Sequence, residues 1–191
     1  MNPAMLAQLQ IRRSVKPDMM GLPGPDPEQL RTILSVAARV PDHKKLAPWR
    51  FIVFEGEARA VMGEEFAKAC VAEDKMPPSD IRLAQERGRL LRAPVVVAVI
   101  SAAREKAPAP EWEQVLSAGA ACMNLCHAAN ALGFATCWIT EWVAYSPTVK
   151  AAMKLEAHER IAGFVYAGTA REKPDERERP DMAKVVTRWG E

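Results

Sequence analysis

Two guanidinium groups and a hydroxyl stand side by side in Arg12-Arg13-Ser14. Guanidinium forks match phosphate oxygens, and each charge-assisted hydrogen bond contributes about 1.5–3 kcal/mol. The tripeptide therefore suits a phosphate clamp, although a solvated basic helix end looks the same in one dimension. A second cluster is Arg39, Pro41, Asp42, His43, Pro48 and Trp49. Its prolines stiffen a loop, His43 can donate or accept a hydrogen bond, and Trp49 reads mainly as a core anchor. The third is Trp138-Ile139-Thr140, which ends an apolar run. Loops beyond strand ends are where α/β sheets bind ligands, and backbone donors with the Thr140 hydroxyl could face a ring edge there.

Common catalytic signatures are missing. The sequence has no G-x-S-x-G elbow, Walker loop, G-x-G-x-x-G or H-E-x-x-H. His43, His127 and His158 show no ligand spacing, and Cys70, Cys122, Cys126 and Cys137 fit no zinc pattern, so no metal site is expected. No catalytic acid or base is assigned. Without a nucleophile–base pair, hard chemistry is expected to come from a bound cofactor.

The elements that must position these residues are set by hydrophobic pattern. From Gln114 to Thr140 there is no Asp, Glu, Lys or Arg, in a chain that is 26% charged. Trp112–Leu132 reads as a long buried helix with apolar or small residues round most of its circumference. Gly133 suits the left-handed position that ends it, and the residues after it, 134–140, form a strand. Polar residues and Gly133 argue against a membrane span. The many alanines allow a second backbone to approach closely, from the same chain or from another copy.

The remaining order is a short helix at 5–11, an irregular exposed stretch from Lys16 to Pro27, and a helix capped by Asp26. A strand at 50–55 and a helix at 57–72 follow, the helix facing Val61, Met62, Phe66 and Ala69 inward. Then come a charged, peripheral helix at 80–91 and a β-branched strand at 94–100, covered on both faces. A short helix after Ser146, a strand at 160–168 and a charged extended arm complete the chain. Val185 and Val186 read as a last strand or docking segment. The result is a sheet of four to five strands with helices on its faces, in one domain spanning 1–191 with 171–191 as the arm.

A net charge of +2, with basic residues alternating with acidic ones, gives no footprint for nucleic acid. Met1–Gln10 lack the basic and apolar regions of a signal peptide. Cysteines in an apolar setting fit buried reduced thiols of a cytoplasmic protein.

The chain resembles the nitroreductase family, in particular its short members. The resemblance rests on Arg12-Arg13-Ser14, residues 38–51 around His43 and Trp49, residues 112–119, Leu132-Gly-Phe134 before Trp138, Gly163–Thr169 and Arg179-Pro-Asp181. It implies an α+β three-layer sandwich with a central, mostly antiparallel sheet, assembled as an intertwined homodimer with FMN at the subunit interface. It implies that Arg12, Arg13 and Ser14 hold the FMN phosphate and ribityl chain. Arg39 and His43 would reach the flavin of the partner subunit, Trp138, Ile139 and Thr140 would lie beside the ring, and Arg177, or its neighbour Arg179, would make a late phosphate contact. Ala128–Gly133 matches a stretch such proteins give to NAD(P)H, although an apolar helix end offers few polar contacts. The implied activity is electron transfer from NAD(P)H through FMN to a small acceptor such as a nitroaromatic or quinone, by ping-pong kinetics. A flavin-binding or nucleotide-sensing module without turnover, a same-fold flavoenzyme with another redox reaction and a plain interaction protein are the alternatives.

Overall fold

The structure is a computed structural model that describes residues 2–190. Its centre is β3 (Val95–Ser101), in which every residue is buried. The reason is the sheet order. β3 pairs antiparallel with β2 (Trp49–Glu55) on one side and with β5 (Arg160–Ala170) on the other. Val95, Val97 and Val99 point into one core, against Leu30 and Ile33 of α2 (Pro27–Ala37) and Ala121, Cys122 and Leu125 of α5 (Glu111–Ala131). Val96, Ala98 and Ile100 point into the other, against Met62 and Phe66 of α3 (Ala58–Glu73) and Val149 of α6 (Pro147–Ala152). A strand covered on both faces has no polar side to show, which explains the unbroken β-branched run. The fold is thus α+β in three layers: helices, sheet, helices.

The other edge of β5 receives β4 (Ala135–Ile139), also antiparallel, and the end of β5 pairs with the two residues of β1 (Met20–Gly21). The sheet therefore has five strands and every pairing in it is antiparallel. Helix starts obey their capping residues. Asp26 accepts from the N–H groups of Glu28 and Gln29 while the Gln29 side chain accepts from Asp26 N–H, a full capping box on α2. Ser146 accepts from Val149 N–H at the start of α6. At the end of α5, Gly133 has φ +89°, Phe134 N–H donates to Ala129 O and Gly133 N–H to Asn130 O. This is a Schellman closure, and it aims the chain directly into β4.

Four local expectations need correction. Lys16–Pro27 is not uniformly exposed: Met20 is 2% exposed, because its backbone completes the edge of β5 and its side chain enters the core. Val61 is 59% exposed, since it lies a residue off the Met62, Phe66, Ala69 stripe of α3. The charged helix α4 (Asp80–Gly88) is not merely peripheral: Glu86 is fully buried, and Arg89 just beyond the helix is 9% exposed. Val185 and Val186 form no strand. Val185 ends the one-turn helix α7 (Met182–Val185) and both side chains are exposed. No helix among the described residues is long and apolar enough to cross a membrane.

Within the single chain α5 is buried on three sides only. Trp112 and Leu116 are exposed, and Gly119, Ala120, Met123 and His127 are half-buried. These positions recur at helical spacing and form one apolar stripe facing away from the sheet.

Candidate functional site

Helix α1 (Pro3–Ile11) stops at Arg12, whose N–H still bonds to Gln8 O. Arg12 and Arg13 then line a cleft of about 630 Å³, together with Gln8, Asn130, Ala135 and Lys173. Arg13 Nε donates to the Asp175 carbonyl at 3.2 Å. Among the described residues, no hydrogen bond or ion pair engages the Arg12 guanidinium. Its charge, after burial, helps push the His127 imidazole below its ordinary pKa, so that ring is neutral at pH 7. Two polar atoms near this cleft, His127 Nδ1 and Asn130 Oδ1, are buried and unbonded. The Asn130 amide is oriented by its other end, Nδ2 donating to Phe134 O at 2.7 Å and Thr136 Oγ1 at 3.3 Å. Buried polar groups are normally satisfied. Of these two residues Asn130 lines the cleft, and a guanidinium without a partner among the described residues beside an orphaned amide oxygen marks a place for a polar ligand that carries both anionic and hydroxyl groups.

Beyond the arginines the chain follows β4. Ser14 is exposed and Val15 N–H donates to Thr136 O at 3.1 Å, which sets residues 14–15 along the outer edge of that strand. From Ala135 to Thr140 the strand advances about 17 Å. The clamp and Thr140 therefore mark the two ends of one track. Trp138 and Ile139 lie on opposite faces of it. Ile139 and Cys137 pack into the core shared with α3 and α6. The Trp138 indole turns to the α5 side, where Nε1 donates to Ala162 O at 3.1 Å. A Cβ on Gly163 would sit 2.0 Å from that Nε1, so the indole position depends on this glycine. Trp138 also lines a second cleft of about 640 Å³, with Leu116, Tyr145, Lys150 and Arg160.

The Arg39–Trp49 loop is fastened to the first half of α5, not to the clamp. Asn124 Nδ2 donates to Arg39 O at 2.9 Å. Ser117 Oγ accepts from Trp49 Nε1 at 3.1 Å and donates to Pro41 O at 2.7 Å. Asp42 ties the loop internally, its carboxylate accepting from Leu46 and Ala47 N–H. His43 Nδ1 lies 2.7 Å from Glu113 Oε2. Glu113 and Asn130 are seventeen residues apart on α5, about 25 Å of helix. Within one chain, His43 is thus remote from Arg12 and Arg13.

In the arm, Lys173 lines the cleft and Arg177 does not. Arg177 N–H donates to the Glu176 carboxylate, which also pairs with Arg179 at 2.7 Å. Sequence reasoning passed over Lys173 and Gln8. Lys173 beside Pro174 in the charge-dense arm was the available signal, while nothing local singled out Gln8. Burial raises the cysteine thiols, Cys122 to about 12 and Cys126 to about 11, so they are protonated and inert at pH 7. Among the described residues no three His, Cys, Asp or Glu side chains gather as metal ligands would.

Comparison with known proteins bears on the family and the fold. The "Putative NAD(P)H nitroreductase YdjA" of Escherichia coli is 37% identical over 150 residues, covering 77% of this chain and 79% of that protein. The crystal structure of a nitroreductase-like family protein from Bacillus cereus superposes with a TM-score of 0.83 at 18% identity, over 98% of this chain and 96% of that one. A variant of the FMN- and NADPH-dependent nitroreductase NfnB from a Sphigopyxis strain gives 0.75 at 22% identity, over 97% and 99%. At these identities the two structures speak for the fold. The model of the Nitroreductase family matches residues 9–169, from the clamp to the end of β5, and stops short of the arm. The chain belongs to the nitroreductase family.

Proposed function

We propose that this chain is an FMN-dependent oxidoreductase that takes electrons from NAD(P)H and passes them to a small acceptor such as a nitroaromatic or quinone. The observation that carries the proposal is the Arg12 guanidinium, without a partner among the described residues, beside Arg13 at the foot of the β4 edge. The cleft fits the group: its volume of about 630 Å³ lies in the range of cofactor sites. Arg12 and Arg13 supply forks for a phosphate, and the orphaned Asn130 Oδ1 supplies an acceptor for a hydroxyl. FMN, when bound, would supply the redox chemistry between NAD(P)H and the acceptor, and one site shared in turn by the two would make the kinetics ping-pong.

The chain's own residues bind and orient. Arg12 and Arg13 anchor the phosphate, Ser14 offers its hydroxyl to the ribityl chain, and the end of β4 at Trp138, Ile139 and Thr140 flanks the ring. Arg177 or Arg179 adds a phosphate contact if the arm shifts, and Lys173 is the cation already at the cleft. Arg39 and His43 act in trans. The open stripe of α5, with Gly119 and Ala120 at its centre, suits a second copy of α5 crossing antiparallel. That crossing brings the first half of one α5 beside the second half of the other and spans the 25 Å gap. The proposed assembly is a homodimer, and the four free thiols suit a reducing compartment such as the cytoplasm.

The test is a visible spectrum of the purified protein, followed by anaerobic NADPH or NADH. A yellow protein that bleaches with either nucleotide supports the proposal. A protein that takes up no FMN overturns it, and a yellow protein that never bleaches favours a binding module without turnover.

A further inference from the structure

Immediately after Thr140 the backbone does something costly. Glu141 has φ +55° and ψ 178°, a conformation essentially reserved for glycine. Such a residue persists only where its surroundings over-determine it. The surroundings here are ionic. Glu141 Oε1 lies 2.7 Å from Arg89 Nη1, and Oε2 lies 2.7 Å from Arg92 Nη2. Both arginines are fixed from behind. Arg89 makes a bidentate pair with Glu86, both contacts at 2.7 Å, and Glu86 is fully buried. Arg92 Nη2 donates to the Tyr166 hydroxyl at 3.0 Å, and its guanidinium lies 5.0 Å over the Tyr166 ring. Trp142, the residue after Glu141, donates through Nε1 to Glu86 at 3.1 Å. Two consecutive residues beyond the strand are thus tied to one charge group built from Glu86 near the end of α4 and the turn that follows it at Arg89–Arg92.

We infer that Glu141 is a positioning residue: its paired arginines hold the strained Thr140–Glu141 peptide, and so fix the ring-side end of the β4 track. This inference rests on the flavin reading of that track. φ at Glu141 is the rotation that sets the plane of the Thr140–Glu141 peptide, so the ion pairs act on the very group that closes the proposed wall. A side chain placed here only for stability would not need the strained backbone. A glycine placed here only for the turn would not need the arginines. The coincidence of both, at the last residue before the chain turns away, is what points to the site.

The experiment compares Glu141→Ala with Glu141→Gly. Both lose the two ion pairs, but only glycine adopts the native backbone freely. FMN affinity, the flavin spectrum, kcat and KM are measured in each, with Tm alongside. Glu141→Ala is expected to weaken FMN binding tenfold or more or to lower kcat by that factor. Glu141→Gly should stay within about threefold of wild type, with Tm lowered in both. Glu159→Ala is the control. It breaks an unrelated, part-buried pair with Arg50 and should lower Tm while leaving FMN affinity unchanged. If Glu141→Ala does not fold, Glu141→Gln replaces it in the comparison, keeping the shape and losing the charge. Equal impairment of the alanine and glycine variants, wild-type behaviour of the alanine variant, or equal FMN loss in the control each overturns the inference alone. A wild-type chain that takes up no FMN overturns the flavin reading and this inference with it.

Discussion

At the scale of residues, the clamp is the part whose chemistry can be weighed. Arg13 Nε already donates to the Asp175 carbonyl, whereas among the described residues no hydrogen bond or ion pair engages the Arg12 guanidinium. A phosphate would satisfy both, and each charge-assisted hydrogen bond contributes about 1.5–3 kcal/mol. Arg13→Ala, or Arg12→Ala, is therefore expected to raise the FMN dissociation constant about 10- to 100-fold, as read by a flavin fluorescence titration. Unchanged affinity would remove that arginine from the site. Gly163 makes a second, steric prediction. An added methyl 2.0 Å from Trp138 Nε1 must expel the indole from its bond to Ala162. Gly163→Ala should destabilise the fold by about 1–3 kcal/mol as over-packing does and shift the tryptophan fluorescence; an unaltered melting curve would show that the sheet edge yields more easily than its packing implies.

At the scale of elements, the pair Arg50–Glu159 ties β2 to the turn before β5. Its two contacts are 2.6 and 2.8 Å. The hydrogen bond from Arg50 holds the Glu159 carboxyl at about 2, against an ordinary value of 4.5. Because the folded value is depressed, the pair's contribution is full above the unfolded value and fades as pH falls from 4.5 toward 2. Glu159→Gln is expected to flatten the acid limb of stability in that window and to leave the slope near neutrality alone; urea titrations across the window measure it. Elements of this kind also show what local pattern conveys. β3 and α5 were legible because burial on both faces, or all along a helix, removes charge from a continuous run. The end of α5 was legible because a glycine takes the required positive φ without steric cost, and Gly133 stands there. β1 was not legible: two residues carry no periodicity, and their partners Thr169 and Ala170 lie far along the chain. Nor was the buried group of Glu86 and Arg89. Charges at helical spacing look solvated until Glu141, fifty residues on, closes the pairs. In the site, Arg12 and Arg13 could be picked out by residue type, whereas Lys173 and the orphaned Asn130 are defined by the cleft and not by any local spacing.

At the scale of the whole molecule, the proposed homodimer would divide the site between two chains. The loop bearing Arg39 and His43 is anchored to the first half of α5, through Ser117 and Asn124, and not to the clamp. The same anchoring presents it to a neighbour. If two α5 stripes cross antiparallel, each loop is carried to the other chain's β4 track without any movement inside either chain, and small side chains at Gly119 and Ala120 let the helices come close. FMN then binds the pair more tightly than the single chain, and by linkage FMN strengthens the pair. Ala120→Arg places a charge in the centre of the stripe without touching either core. It is expected to yield a folded monomer by sedimentation, with FMN affinity reduced at least tenfold and dependent on protein concentration. A strictly monomeric variant that holds FMN as tightly as wild type would mean that one chain makes the whole site, and that His43 has no part in it.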